Sequence, residues 1–505
     1  GSDNYHWVHI PVGYLYCIGN PRTDWMMKTA PEPGLNDRSL VYPRGKVLGG
    51  SSSINAMVYV RGAAGDFDEW RDAGNPGWGY ADLAPVFRAL EDHDGPAKSL
   101  GSGGPLHITD CSRLFHPLAN RMIAAAQEAG LPYNSDFNGA TQEGVGPFPL
   151  TTKGGRRMSA ARAFLRPAMK RSNVTVLTGA LVTRIGFEGK RAGSVEFLRA
   201  GKRETAVAGR EIILCGGSVN TPQLLELSGI GDARRLRSLG LDVVHENPQV
   251  GENLADHLGI NYTYRANIPS LNQILRPWWG KALAGLEYLL LRTGPLSISM
   301  NQGGGFFRTD PSRTRANMQL YFQAFSTLVP KNGERPILTP DPWPGFSIGL
   351  SNCRPTSRGS IHIRSADALE APKITANAFS TDHDVAEMLD AVKFLRKIAA
   401  TPTMSRLIEE ELLPGPGCVG DDALIADFRK RSGTVYHPVS TCRMGPDPSL
   451  SVVDPRLKVH GVSGLRIIDC SIFPNIISGN TNAAAMMVGA KGAGLVLEDQ
   501  DKCRN

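Results

Sequence analysis

No two cysteines in the chain stand at C-x-x-C spacing, and neither an H-E-x-x-H nor an H-x-x-E-H segment occurs. Zinc needs three or four ligands at compatible spacing, so a metal centre is excluded as the organising feature. The eight cysteines (Cys17, Cys111, Cys215, Cys353, Cys418, Cys442, Cys470 and Cys503) are scattered. Scattered cysteines fit reduced thiols better than a disulfide framework, which makes the cytoplasm the default compartment. Apolar runs break within about ten residues, short of the ~20 that a bilayer-spanning helix needs; peripheral membrane contact stays open. The formal charge of +7 is spread without a Lys/Arg block or an aromatic-basic stripe. That distribution argues against a nucleic-acid surface and leaves an anionic cofactor easy to accommodate. Internal repeats and low-complexity tracts are missing as well. The chain opens on GSDNYHW, with no signal-peptide pattern and no starting methionine, as a fragment would.

At 505 residues the chain is too long for one hydrophobic core, so two or more domains are expected. With 41% hydrophobic and 20% charged residues it is ordinary globular material. GGSSSIN (Gly49 to Asn55) is a glycine-serine turn leading into the apolar run Ala56 to Val60. Such a turn can cradle an anion on exposed amides, and it reads equally as a surface loop. Asn173 to Ile185 predicts two short β-branched strands around a turn. REIILCGG predicts a short strand ending in Gly216-Gly217, followed by a helix for which Thr221-Pro222 suits the start and Ser228-Gly229 the stop. Strand, double glycine, helix is the arrangement that sets phosphate against a helix N-terminus. Between about Gly259 and Tyr436, Pro/Gly-rich loops and period-2 alternation predict an antiparallel sheet inserted into the first domain. An amphipathic helix follows at DHDVAEMLDAVKFLRKIAA. GLRIIDCSIFP (Gly464 to Pro474) then reads as a buried strand and NAAAMMVGAKGAGLVLE as a small-residue helix. In YHPVSTCRMG (Tyr436 to Gly445), His437 is readable as a buried, hydrogen-bonded histidine or as a functional one.

Several of these segments together resemble one family. GKVLGGSSSINAMVYVRG (Gly45 to Gly62) and GSVNTPQLLELSGIG (Gly217 to Gly231) are similar to the two signature segments of the glucose-methanol-choline (GMC) flavoprotein oxidoreductases. GENLADH (Gly251 to His257), YHPVSTCRMG, RIIDCSIFP and SGNTNAA (Ser478 to Ala484) resemble that family in the same order. Within it, the choline dehydrogenase and aliphatic alcohol dehydrogenase branch is the most similar. The resemblance implies an α/β architecture, α+β overall: a Rossmann-like FAD-binding domain from residues 1–70, 151–260 and 437–505. An antiparallel-sheet substrate-binding domain from 71–150 and 261–436 would be inserted in it. Members of the family open with a strand, G-x-G-x-x-G, a helix and a second strand ending in glutamate, and this chain starts past that point. The expectation is therefore a domain truncated at its N-terminus by roughly 35 residues, the size of such a unit.

Oxidising an alcohol removes a hydroxyl proton and a hydride from the same carbon. A neutral imidazole suits the first task near neutral pH, and a cofactor must accept the hydride. The resemblance implies FAD as that cofactor, with hydride passing to flavin N5, His437 as catalytic base and Asn480 as its partner. An amide can donate to a developing alkoxide without repelling it. Implied cofactor contacts are Gly49, Gly50, Ser51, Asn55, Ala56, Met57 and Val58 along the pyrophosphate and flavin. Val182 and Trp25 would lie at the adenosine side, and Gly216, Gly217, Asp469 and Cys470 near the nucleotide and pyrophosphate. Thr481 and Asn482 would reach the flavin pyrimidine edge. Ile54 stands where some members carry the histidine that links FAD covalently, so the cofactor is expected to be non-covalent. Asn301 and Gln302 are expected to line the substrate cavity, whereas His257 and Cys442 read as structural. The expected partners are a small alcohol and an electron acceptor, a quinone or other carrier. Alternatives are an oxidase using oxygen, or a non-catalytic fragment unable to hold FAD. A lyase or photochemical decarboxylase would not need the His/Asn pair.

Overall fold

The alternating segments in the middle of the chain pair as a seven-stranded sheet. Its order is Ile408–Leu413, Leu258–Ala266, Gly345–Asn352, Met318–Gln323, Asn301–Phe307, Gly144–Pro147, with Gly433–Thr434 beside Leu258–Ala266. Every pairing in it is antiparallel. This computed structural model describes residues 1–95, 99–327 and 339–502. Strand period puts Met318, Leu320 and Phe322 on the face covered by helices Pro117–Glu128 and Asp382–Ala399. Gln319, Tyr321 and Gln323 share the opposite face, and Tyr321 and Gln323 line a large internal cavity. The edge strand Gly144–Pro147 joins the sheet from far upstream, and Leu258–Ala266 runs across position 260, where the sequence suggested a boundary.

The other half is built around Ile212–Leu214, which pairs in parallel with Leu465–Ile467. Gly216-Gly217 carries the first of these strands directly into the helix Gly217–Leu227, a strand-turn-helix unit of the doubly wound kind. That helix begins at Gly217, four positions before the Thr221-Pro222 start expected from sequence. The cause is tertiary: Asp469 Oδ2 accepts the Gly217 amide at 2.9 Å and the Thr221 hydroxyl at 2.7 Å, capping the helix from another strand. Of the two strands expected between Asn173 and Ile185, only the second forms, as part of Ala180–Glu188. It pairs with Arg191–Arg199, which pairs in turn with Lys202–Val207. Among the described residues no strand lies beside 173–179 to complete a ladder. The small-residue helix is Asn482–Lys502, and Gly492 lets it approach Ile468, because a Cβ there would sit 2.6 Å from Ile468 Cγ2. The seven described cysteines are all free. No helix among the described residues is long and apolar enough to cross a membrane.

Candidate active site

The cavity between the two halves encloses about 1720 Å³. Ordinary ligand pockets measure roughly 300–1,000 Å³, so this one has room for a dinucleotide and a small substrate together. Its wall contains Gly49, Gly50, Ser51, Asn55, Ala56, Met57 and Val58 from the first signature, and Gly216 and Gly217 from the second. Trp25, Val182, Asp469, Cys470, Thr481 and Asn482 line it too, as do His437, Asn480 and Asn301. Gln302 does not. It is buried on the far side, where its Oε1 accepts the His116 amide at 2.8 Å, so its expected place in the cavity is corrected. The physical reason is a register shift between Asn301 and Gly303, which turns Asn301 inward and Gln302 away.

Electrostatics along the wall are one-sided. Arg38, Arg44, Lys46, Lys430 and Arg431 line it against a single lining carboxylate, Asp469, which already caps the second-signature helix; of these cations Arg431 is ion-paired, with Asp427. Gly50 and Gly217 both have positive φ, +55° and +77°, and a Cβ on either would meet nothing within 4 Å. Backbone open on that side, helix N-termini at Gly217 and Asn482, and surplus cations together suit a long ligand carrying a pyrophosphate. Gly49 is more constrained, with φ +86° and a virtual Cβ 2.5 Å from Ser53 Oγ and 3.1 Å from Ala161 Cβ. Left-handed strain of this kind costs about 1–3 kcal/mol, so Gly49→Val is expected to lower stability by at least that and to reduce flavin content. A thermal melt and a visible spectrum check this, and unchanged values would refute the tight-turn reading.

His437 is aimed by its neighbours on both sides. Tyr436 holds φ +71°, its carbonyl accepts Arg44 Nη2 at 2.6 Å, and the His437 amide donates to Asp256 Oδ1 at 2.8 Å. The ring then meets Asn480, with Nε2 3.3 Å from Asn480 Nδ2. Asn480 is presented by a loop that Asp66 ties down, accepting the Ser478 amide at 2.7 Å and its hydroxyl at 2.9 Å. Gln319 Nε2 donates to Asn480 Oδ1 at 3.0 Å, and Gln319 Oε1 in turn accepts the Tyr321 hydroxyl at 2.7 Å. With Oδ1 so occupied, the donor end of Asn480 faces His437 and the cavity.

The other ring nitrogen of His437 is also engaged. His257 Nδ1 lies 3.1 Å from His437 Nδ1, and His257 Nε2 lies 2.9 Å from the Cys353 carbonyl. A carbonyl only accepts, so His257 carries its proton on Nε2 and offers the Nδ1 lone pair. His437 Nδ1–H donates to it, which leaves His437 Nε2 unprotonated toward the cavity. Burial pushes the His437 pKa well below 6.5, helped by His257 and Arg44, and burial pushes His257 down to about 4. Both rings are neutral near pH 7. His257, Gln319 and Arg44 were not expected at this site from sequence. His257 had read as structural, and the bridge Ala255–Val439 that sets it beside His437 joins segments 184 positions apart.

Strand-glycine-helix geometry, a dinucleotide-sized cationic cavity and a neutral imidazole beside a carboxamide together suit a dinucleotide-dependent oxidoreductase. Models described as GMC oxidoreductase match residues 13–259 and 355–489, and the chain belongs to that family. It is an FAD-dependent enzyme with the α/β FAD-binding fold. The chain is 39% identical to "Alcohol dehydrogenase [acceptor]" of Pseudomonas putida over 98% of its length and 89% of the relative's. It is 40% identical to "Oxygen-dependent choline dehydrogenase" of Yersinia pseudotuberculosis, over 96% of this chain and 85% of that one. Among solved structures, pyridoxine 4-oxidase from Mesorbium loti superposes with a TM-score of 0.85 at 30% identity, covering 96% of this chain and 90% of that chain. Formate oxidase of Aspergillus oryzae gives 0.91 at 24% identity over 99% and 92%, a likeness of fold.

Proposed function

We propose that the enzyme oxidises a neutral primary alcohol to its aldehyde, with His437 as base. The single observation carrying this is the bare Nε2 of His437, 3.3 Å from Asn480 Nδ2 on the cavity wall. In this reading the substrate oxygen sits between the two groups, giving its proton to Nε2 while Asn480 donates to the growing alkoxide. FAD, when bound, supplies the acceptor for the pair of electrons that leaves the carbon with its hydrogen. Residues Gly49 to Ser51, Asn55 to Val58, Gly216-Gly217 and Thr481-Asn482 would hold it, with Lys46 and Arg44 offsetting its phosphates. Ile54 offers no nucleophile, which supports non-covalent binding. The same reading assigns 1–70, 151–260 and 437–505 to cofactor binding and 71–150 with 261–436 to the substrate side.

Two relatives differ in substrate, and the cavity charge favours one of them. Choline is a permanent cation that calls for a carboxylate or an aromatic cage. The wall among the described residues has five cationic side chains, of which Arg431 is paired with Asp427, and only Asp469, at the nucleotide end, as a carboxylate; the rings of Tyr321 and Phe325 line it with no carboxylate on the wall beside them. A neutral alkanol fits that field better. The acceptor is proposed to be a quinone or similar carrier, with oxygen as the alternative. Flavin-loaded enzyme is expected to reduce an artificial quinone with primary alkanols at a kcat/KM at least roughly tenfold above that for choline, the scale of 1.4 kcal/mol. Stoichiometric peroxide would overturn the dehydrogenase assignment, and a preference for choline would overturn the neutral-alcohol one.

A further inference from the structure

The helix Trp278–Leu291 is turned inside out relative to a normal surface helix. Its buried face consists of Gly280, Ala284 and Tyr288, and its outer face is the apolar one. Trp279, Leu283, Leu286 and Leu290 recur at helical spacing along that outer face and are 54%, 61%, 52% and 71% exposed. Trp278, Leu289 and Leu291 are exposed beside them. Isolated exposed apolar residues need no explanation, whereas a contiguous stripe of this kind marks an interaction surface.

Charge says what covers it. Lys281 and Arg292 flank the stripe, and neither forms an ion pair among the described residues; the Arg292 guanidinium lies 4.8 Å from the Tyr288 ring centroid. The Tyr288 hydroxyl bonds to the Gly155 carbonyl at 2.9 Å, which brings exposed Arg156 to the same end. Arg162 and Arg166 act electrostatically in the same neighbourhood, Arg166 being paired with Asp3. The single carboxylate of the helix, Glu287, is engaged by the Thr293 hydroxyl at 3.1 Å. An apolar stripe with tryptophans at one end and cations at its margins is the pattern of a helix lying in a lipid headgroup boundary. A second copy of the chain would instead bring the same surplus of cations against itself.

We propose that the outer face of Trp278–Leu291 docks the enzyme on an anionic lipid bilayer. The chain leaves Leu291 through the turn Pro295–Ser297 and enters Asn301 on the cavity wall, so docking sets the lipid phase close to the substrate side. The test is co-sedimentation of flavin-loaded full chain with vesicles of phosphatidylcholine and phosphatidylglycerol, against phosphatidylcholine alone. Binding to the anionic vesicles is expected, weakening at high salt. It is expected to fall by roughly tenfold or more in the combined variant Trp279→Ser, Leu283→Ser, Leu286→Ser and Leu290→Ser, with dye-linked activity unchanged. Should that variant lose flavin, Lys281→Glu decides, because it must weaken anionic binding severalfold. Wild-type protein left in the supernatant, variants that bind as wild type, or a dimer that the serine variant dissociates would each overturn the proposal.

Discussion

His437→Ala is expected to lower the rate of anaerobic flavin reduction by an alcohol about 10²-fold or more, the usual contribution of a positioned general base. The substitution removes the one group whose bare nitrogen faces both Asn480 and the cavity. It leaves intact the contacts that shape the loop, since Asp256 holds the backbone amide and Arg44 the Tyr436 carbonyl. Flavin content and melting temperature should therefore change little, which separates loss of chemistry from loss of fold. A rate within about threefold of wild type, far from that scale, would remove His437 from the role.

The depressed pKa of His437 gives this prediction a pH signature. An unperturbed imidazole loses basicity below about 6.5. Here burial holds the ring neutral, so kcat/KM should stay flat through pH 6.5 and decline only at more acid values. Stability runs in the same direction. The unfolded state takes up protons on these two histidines near 6.5 while the folded state resists, so stability is present above that value and is lost as pH falls toward about 4, the value for His257. Short assays at low pH, with folding followed in parallel, distinguish the two effects.

What was legible in the sequence is what is contiguous in it. Gly49 to Val58 lie together on the cavity wall because one turn carries them, and Gly216-Gly217 follow from a strand feeding directly into a helix. Contacts made across the chain left no such trace. The helix at Gly217 starts early because a carboxylate 252 positions away caps it, a tertiary effect that overrides the local Thr-Pro signal. Asn301 and Gln302 could not be told apart, since the strand continues as three glycines, which carry no side chain to reveal a face, and the register shifts between Asn301 and Gly303. Nothing local marks Gln319, whose amide meets Asn480 only through the pairing of Met318–Gln323 with its neighbours. The segment 173–179 has the β-branched composition of a strand, and composition cannot supply a partner.

His257 is the residue whose role most exceeds its sequence context, and His257→Leu isolates it. Leucine keeps the volume but offers His437 Nδ1–H no acceptor. The imidazole then loses both its anchor and the bias that keeps the proton off Nε2, so a fraction of molecules present N–H to the substrate and cannot accept its proton. Partners that orient a metal-bound histidine contribute about 10–100-fold, and by analogy kcat is expected to fall within that range. A general packing defect would move KM, flavin retention and melting temperature together. Loss of tautomer control should instead lower kcat with KM nearly constant, and His257→Gln, whose carbonyl oxygen can accept from Nδ1, should recover part of the rate. It should also shift the acid limb of kcat/KM, because His257 is among the groups that depress the His437 pKa. If His257→Leu retains the wild-type rate and acid limb, the 3.1 Å contact between the two rings packs the site without setting its proton.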